Sequence, residues 1–287
     1  MGTGNVLDRE EYIEQAYFFR VMRERLTSAV STQEVLERID QEILSTTRLP
    51  YAIQFLTGEV KHSGLLSSGF ARLPHYFTPF QTFIVRGTEE EGRRFPTESG
   101  LLVLQREAEY RAGQPTPAGL FVYEFEVLCR SRLGYDEGLR AMAQDPFYGP
   151  EWSAFFEVVR TQVGLVDFAD LLYYRSEWFV HNQRRDDPSY EPPAPPLLGE
   201  KEGKIAKANS GRDPLYLFAA LQRQLNYPEV PRAKPRDDLS AKVLTLEARL
   251  RELQQRVKLL EGEARGQVDL SQLGKPDILK DEEEEGA

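Results

Sequence analysis

Apolar residues recur at intervals of three and four over most of the first 190 positions, which is typical of amphipathic helices. Gly and Pro separate these helical segments. The pattern predicts helices at about 8–26, from an N-cap at Thr32 to before Pro50, at 97–113, after Gly149-Pro150 and after Gly164. Of the 31 aromatic residues, 28 lie between Tyr12 and Tyr190, so the core belongs to this region. We therefore expect a mainly α fold, with a compact orthogonal helical domain over residues 8–184.

One segment of this domain fits two kinds of secondary structure. In the stretch 115–134, Phe121, Tyr123 and Phe125 alternate with Glu124 and Val122, which would also suit a strand. We favour a helix, because the stretch is long, begins with a proline at 117 and ends near a glycine at 134.

The clearest pattern lies near the C-terminus, where seven apolar residues follow one another at alternating intervals of four and three. This is the seam of a coiled coil over residues 238–262, formed by Leu239, Val243, Leu246, Leu250, Leu253, Val257 and Leu260. The β-branched Val243 and Val257 at a positions, with Leu at every d position, favour two parallel strands. We predict a parallel homodimer. The alternative is that the helix folds back and packs on its own body.

Composition changes sharply between these two regions. Five prolines between 188 and 196 predict a Pro-rich and charged linker over 185–212, with a solvated turn at Gly199 to Lys204. A short amphipathic helix follows at 213–226, capped by Asp213, and docks either on the main domain or on a partner. Beyond the coiled coil, residues 263–287 are predicted to be a disordered acidic tail.

Charge and cysteine content limit the possible partners and compartments. The formal net charge is -10, of which the run Asp281 to Glu285 supplies five charges, so neither nucleic acid nor an anionic membrane is an expected partner. The chain has one cysteine, Cys129, which we interpret as a buried structural thiol. No segment resembles a signal peptide or a bilayer span, so we expect a cytoplasmic protein.

Candidate chemistry is sparse, and no motif indicates a cofactor. Asp170, Tyr174, Glu177 and His181 are spaced to share one face of a predicted helix, where a carboxylate and an imidazole can hold a metal or share a proton. Glu124 and the nearby Glu126 are expected to be exposed or paired with Arg130 and Arg132.

The sequence therefore favours a non-enzymatic interaction or scaffold protein that oligomerises through its C-terminal coiled coil. The alternative is a helical metal-binding protein or enzyme that uses the face formed by Asp170, Glu177 and His181.

Overall fold

The computed structural model describes residues 7–28, 30–90 and 95–231, together with ten helical positions between 246 and 260. Contacts divide the chain into two units, residues 1–234 and 235–287. The described part of the first unit is helical and contains no strand. Its helices are α1 (Arg9–Thr27), α2 (Thr32–Ile39), α3 (Leu49–Ser63), α4 (Leu66–Arg72), α5 (Pro79–Glu89), α6 (Thr97–Ala112), α7 (Pro117–Ser131), α8 (Tyr135–Ala143), α9 (Pro150–Gln162), α10 (Phe168–Tyr174), α11 (Glu177–Asp186), α12 (Glu200–Asn209) and α13 (Pro214–Leu225).

The mainly α fold predicted from the sequence is confirmed, but some helix ends differ. Ser31, not Thr32, caps α2 by accepting a hydrogen bond from the amide of Glu34 at 3.2 Å. That helix ends at Ile39, well before Pro50, which instead occupies the first turn of α3. Proline suits this place, because the first turn of a helix has amides without intrahelical partners.

The segment that suited both a helix and a strand is the helix α7. Thr116 caps it by accepting a hydrogen bond from the amide of Gly119 at 3.1 Å, and Pro117 occupies the first turn. The helix ends at Ser131, and the next residue, Arg132, adopts the left-handed conformation that closes it, so the end precedes Gly134. Its residues from Gly119 to Leu128 are all buried, so apolar side chains occur on every face and the helical period is hidden in the sequence.

Aromatic side chains form much of the core in both halves of this unit. Phe18, Phe19 and Phe70 are fully buried in the first half, where Phe70 stacks on Phe77 at 3.8 Å between ring centroids. In the second half Phe121 of α7 lies 5.4 to 6.0 Å from four rings of other helices: Trp152, Phe155, Phe156 and Phe168. Three of these aromatic residues belong to α9 and Phe168 belongs to α10.

The segment predicted to be a linker packs on the helical body. Its end is held by Arg175, whose carbonyl accepts hydrogen bonds from the amides of Leu197 and Leu198 at 2.8 and 3.1 Å. The side chain of Leu198 is buried. The solvated turn predicted at Gly199 to Lys204 is wrong: these residues cap and begin α12, which packs on α10, α11 and α13.

The short helix predicted at 213–226 is α13, and it docks on its own domain. Asp213 caps it as expected, accepting a hydrogen bond from the amide of Leu215 at 2.9 Å. Leu217 and Leu221 are buried against the body, and Phe218 lies 5.9 Å from the ring of Phe168. The apolar face of α13 is thus covered within the chain.

The docking of α12 can be tested with glycine substitutions. A Cβ at Gly203 would lie 2.6 Å from Cβ of Ser176 and 2.7 Å from Cβ of Trp178, neither of which is the mobile end of a side chain. We expect Gly203→Ala to destabilise the protein by about 2 kcal/mol through this overlap. Chemical denaturation followed by circular dichroism measures the change.

The control is Gly58→Ala in α3, where no atom lies within 4 Å of the added Cβ. It is expected to stabilise by roughly 0.5–1 kcal/mol, because alanine is the better helix former. If Gly203→Ala stabilises the protein equally, α12 is not packed against the body.

A second test concerns α13. Leu221 is fully buried, so Leu221→Ala is expected to cost roughly 2–5 kcal/mol in the free energy of unfolding. Leu215 on the same helix is 48% exposed, and Leu215→Ala should change stability by no more than about 0.5 kcal/mol. Equal effects of the two substitutions would mean that α13 does not dock through Leu221.

Candidate functional site

The predicted coiled-coil seam is described at five of its seven positions. Leu246, Leu250, Leu253, Val257 and Leu260 are helical, and their side chains are 61%, 58%, 60%, 50% and 63% exposed. Because they keep intervals of four and three, they form one apolar stripe on the helix. Leu239 and Val243 lie outside the described residues, as does the predicted acidic tail.

The alternative site, the face shared by Asp170, Tyr174, Glu177 and His181, is not formed. The expected single helix is broken: α10 ends at Tyr174, and Ser176 begins α11 as its N-cap. The hydroxyl of Ser176 accepts a hydrogen bond from the amide of Phe179 at 3.2 Å, which ends one helix and begins the next.

The members of this predicted face have other partners. A carboxylate oxygen of Asp170 accepts a hydrogen bond from the hydroxyl of Ser210 at 2.7 Å. The ring of His181 stacks on Trp178 at 5.5 Å between centroids. Among the residues that the structure describes, no group of three His, Cys, Asp or Glu side chains could hold a metal ion. Asp170, Glu177 and His181 therefore do not come together as a metal site.

A different group of charged residues meets in the interior, around Arg111 near the end of α6. Its Nε donates to Oε1 of Glu107, one turn earlier, at 2.7 Å. One terminal nitrogen, Nη2, lies 2.5 Å from Oδ2 of Asp145 and 3.3 Å from Oε1 of Glu124. The four side chains are at most 1% exposed. We call these four residues the Arg111 cluster.

Aromatic residues enclose the Arg111 cluster and supply one more hydrogen bond. The Tyr148 hydroxyl donates to Oε2 of Glu124 at 2.9 Å. The guanidinium carbon of Arg111 lies 5.6 Å from the ring centroid of Phe147 and 6.0 Å from that of Tyr12 on α1. The site therefore joins α1, α6, α7 and the loop after α8, and its walls keep water away from the charges.

Asp145, in the loop after α8, accepts hydrogen bonds at both of its carboxylate oxygens. Its Oδ1 accepts a hydrogen bond from the amide of Phe147 at 2.9 Å, while Oδ2 faces Arg111. The first contact closes a local turn, a common use of Asp. The turn brings Phe147 and Tyr148 beside the guanidinium and Glu124.

Burial changes the acidity of several groups here. It raises the pKa of Glu107 to about 7, against the opposing attraction of Arg111. Burial, with repulsion from Glu107, raises the pKa of Glu124 well above its usual range. Burial alone would lower the pKa of Arg111, but the neighbouring carboxylates, Asp145 foremost, raise it well above its usual value. Arg111 therefore carries its charge at every relevant pH.

Our expectation for Glu124 is wrong, whereas part of that for Glu126 is confirmed. Glu124 is fully buried and contacts Arg111, not Arg130 or Arg132. Glu126 is also buried and pairs with Arg130 at 2.5 Å, one turn later. It accepts a second hydrogen bond, at 2.7 Å, from the hydroxyl of Tyr227, which follows α13.

Sequence reasoning missed the Arg111 cluster, although part of its signal was visible. Arg111 follows Leu104 and Ala108 at the intervals of the buried face of α6, so the apolar stripe ends in a cation. Glu124 interrupts the apolar run of α7. An arginine and a glutamate at core positions indicate a buried pair, but nothing near Asp145 indicates that its loop supplies the third carboxylate.

Cys129, the single cysteine, is partly buried, and its sulfur accepts a hydrogen bond from the Tyr135 hydroxyl at 3.5 Å. Burial raises the pKa of the thiol to about 11. A thiol that stays protonated at neutral pH is a poor nucleophile.

None of the described helices has both the length and the apolar composition needed to cross a bilayer.

Comparison with known proteins gives no relative from which a function could be carried over to these sites. No protein-family model matches the chain, and neither a curated protein nor a solved structure matches it significantly.

Proposed function

We propose that this is a non-enzymatic interaction or scaffold protein of the cytoplasm that forms a parallel homodimer through its C-terminal helix. The observation that carries the proposal is the exposed stripe from Leu246 to Leu260, where each described seam residue is at least 50% exposed. A helix with a narrow apolar stripe gains stability by burying it against a second helix. The free thiol of Cys129 agrees with a reducing compartment.

The packing of the first unit supports association through the seam. The apolar face of α13, our other candidate for contact with a partner, is covered by α7, α10 and α12. The heptad pattern itself supplies polar pairs for a parallel dimer: Lys242 and Arg256 at g positions would face Glu247 and Glu261 at e positions of a second copy.

The test is the solution mass of the full chain by light scattering on a sizing column. The chain has a mass of 32.9 kDa, and we expect twice that value. Leu250→Gln combined with Leu253→Gln should give a monomer with an unchanged circular dichroism melting curve for the body, because glutamine keeps helix propensity but removes the apolar contacts.

The matched control is Arg251→Gln, which lies outside the seam on the same helix and should leave the dimer intact. A full chain that elutes as a monomer at all concentrations used contradicts the homodimer. A dimer that persists in the double variant would mean that another surface mediates association.

The relative direction of the two helices can be measured separately. In a Cys129→Ala background, Leu246→Cys places one thiol at a d position, which faces its own counterpart only in a parallel pair. Oxidation should therefore convert the dimer into a disulfide-linked species on a non-reducing gel. If it does not, while Leu246→Cys mixed with Val257→Cys does cross-link, the two helices are antiparallel, because an antiparallel pair sets d positions against a positions.

A further inference from the structure

The Arg111 cluster places three carboxylates around one guanidinium in a region closed to water. With every group ionised, the cluster would carry two uncompensated negative charges. Buried charges are tolerated only when they are paired, because an uncompensated one loses its hydration without an opposite charge nearby. Among the residues that the structure describes, no second cation is buried there. The groups that face the carboxylates are the neutral phenols of Tyr12 on α1, Tyr123 on α7 and Tyr148 in the loop after α8.

One carboxylate oxygen of the Arg111 cluster has no hydrogen-bond donor beside it. Glu107 uses Oε1 to accept from Arg111, but its Oε2 is buried and has no hydrogen-bond partner among the described residues. An ionised oxygen in that position would lose its hydration and gain no hydrogen bond in exchange. Glu124, by contrast, has a donor at each oxygen, Arg111 at Oε1 and Tyr148 at Oε2. Asp145 likewise receives Arg111 at one oxygen and a backbone amide at the other.

We propose that the folded protein holds one proton in the Arg111 cluster at neutral pH, shared between Glu107 and Glu124 and resident mainly on Oε2 of Glu107. Folding then takes up a proton, and the body is stabilised by mild acid. The proton makes the stability of the body sensitive to pH, because its loss leaves all three carboxylates ionised around the one guanidinium that joins α6, α7 and the loop at Asp145.

The sign of the pH dependence follows from the two states of the chain. In the unfolded chain the Glu107 carboxyl has its ordinary pKa, near 4.5, whereas burial raises it to about 7 in the folded protein. Between these values the folded state binds the extra proton, so stability falls as pH rises. For one proton, the folding equilibrium constant falls about tenfold per pH unit in this range. Above the pKa of the folded state it no longer changes with pH.

Glu124, whose pKa burial and repulsion from Glu107 also raise, belongs to the same coupled pair and shares the proposed proton with Glu107. Shifted groups outside the Arg111 cluster contribute little in this window. Glu37 and Asp136, at the surface, have lowered pKa values and titrate in stronger acid. The shifted phenols of Tyr76 and Tyr227 titrate in strong alkali. The difference between the wild-type chain and a variant of the Arg111 cluster therefore isolates the proposed proton.

The experiment is urea denaturation of the full chain at a series of pH values from 5 to 8. Glu107→Gln mimics the protonated carboxyl, so it should match the wild-type stability at pH 5 and exceed it at pH 8 by at least tenfold in the folding equilibrium constant. Glu109→Gln, an exposed site on the same helix, should run parallel to the wild-type curve.

The result that would overturn the proposal is a Glu107→Gln curve parallel to the wild type over the whole range, which means that Glu107 is ionised throughout. A second readout does not depend on how the variant folds. Infrared spectra of the wild-type protein at pH 7 should contain the C=O stretching band of a buried protonated carboxyl. That band should be lost at pH 9, and its absence at pH 7 also overturns the proposal.

Discussion

The Arg111 cluster is the constraint on which the arrangement of the body depends. A guanidinium without water must donate its hydrogen bonds to acceptors of the protein, and removing one acceptor leaves a buried charge without its partner. The partners come from α6, α7 and the turn at Asp145, while Tyr12 of α1 and Phe147 cover the guanidinium. Four separate parts of the chain must therefore take their places together, whereas apolar contacts alone would tolerate small displacements.

The same use of buried polar groups continues away from Arg111. Glu11 of α1 accepts hydrogen bonds from the amide of Arg48, at 2.8 Å, and from the hydroxyl of Tyr76, at 2.8 Å. Glu126 joins α7 to Tyr227 beyond α13. These contacts fix which helix lies against which, because a polar group buried beside the wrong neighbour has no partner. The aromatic core supplies stability, and the buried polar contacts supply its specificity.

The sequence predicts those features that depend on nearby residues and misses those that depend on distant ones. The cap at Asp213 and the helix at 97–112 follow from local spacing and are found in the structure. The break at Ser176 depends on the extended segment at Leu197 and Leu198, which is bonded to the carbonyl of Arg175. Ser176 is a local N-cap signal for this break, but no property of residues 170–181 alone would reveal the contact with the distant segment. For the same reason the predicted face at Asp170 was not formed, and the third carboxylate at Asp145 was not expected.

The two parts of the chain differ in how their apolar residues are used. In the first unit even the short helices α12 and α13 cover their apolar faces, through Ala206 and Leu221, against neighbouring helices of the same chain. Along the described positions of the C-terminal helix, Leu253 and its seam neighbours remain at least half exposed. A soluble helix with that much apolar surface along one side is stable only when a second surface covers it. The exposed seam and the buried charges are therefore the two features from which we propose, respectively, a second copy of the chain at the C-terminal helix and a proton in the Arg111 cluster.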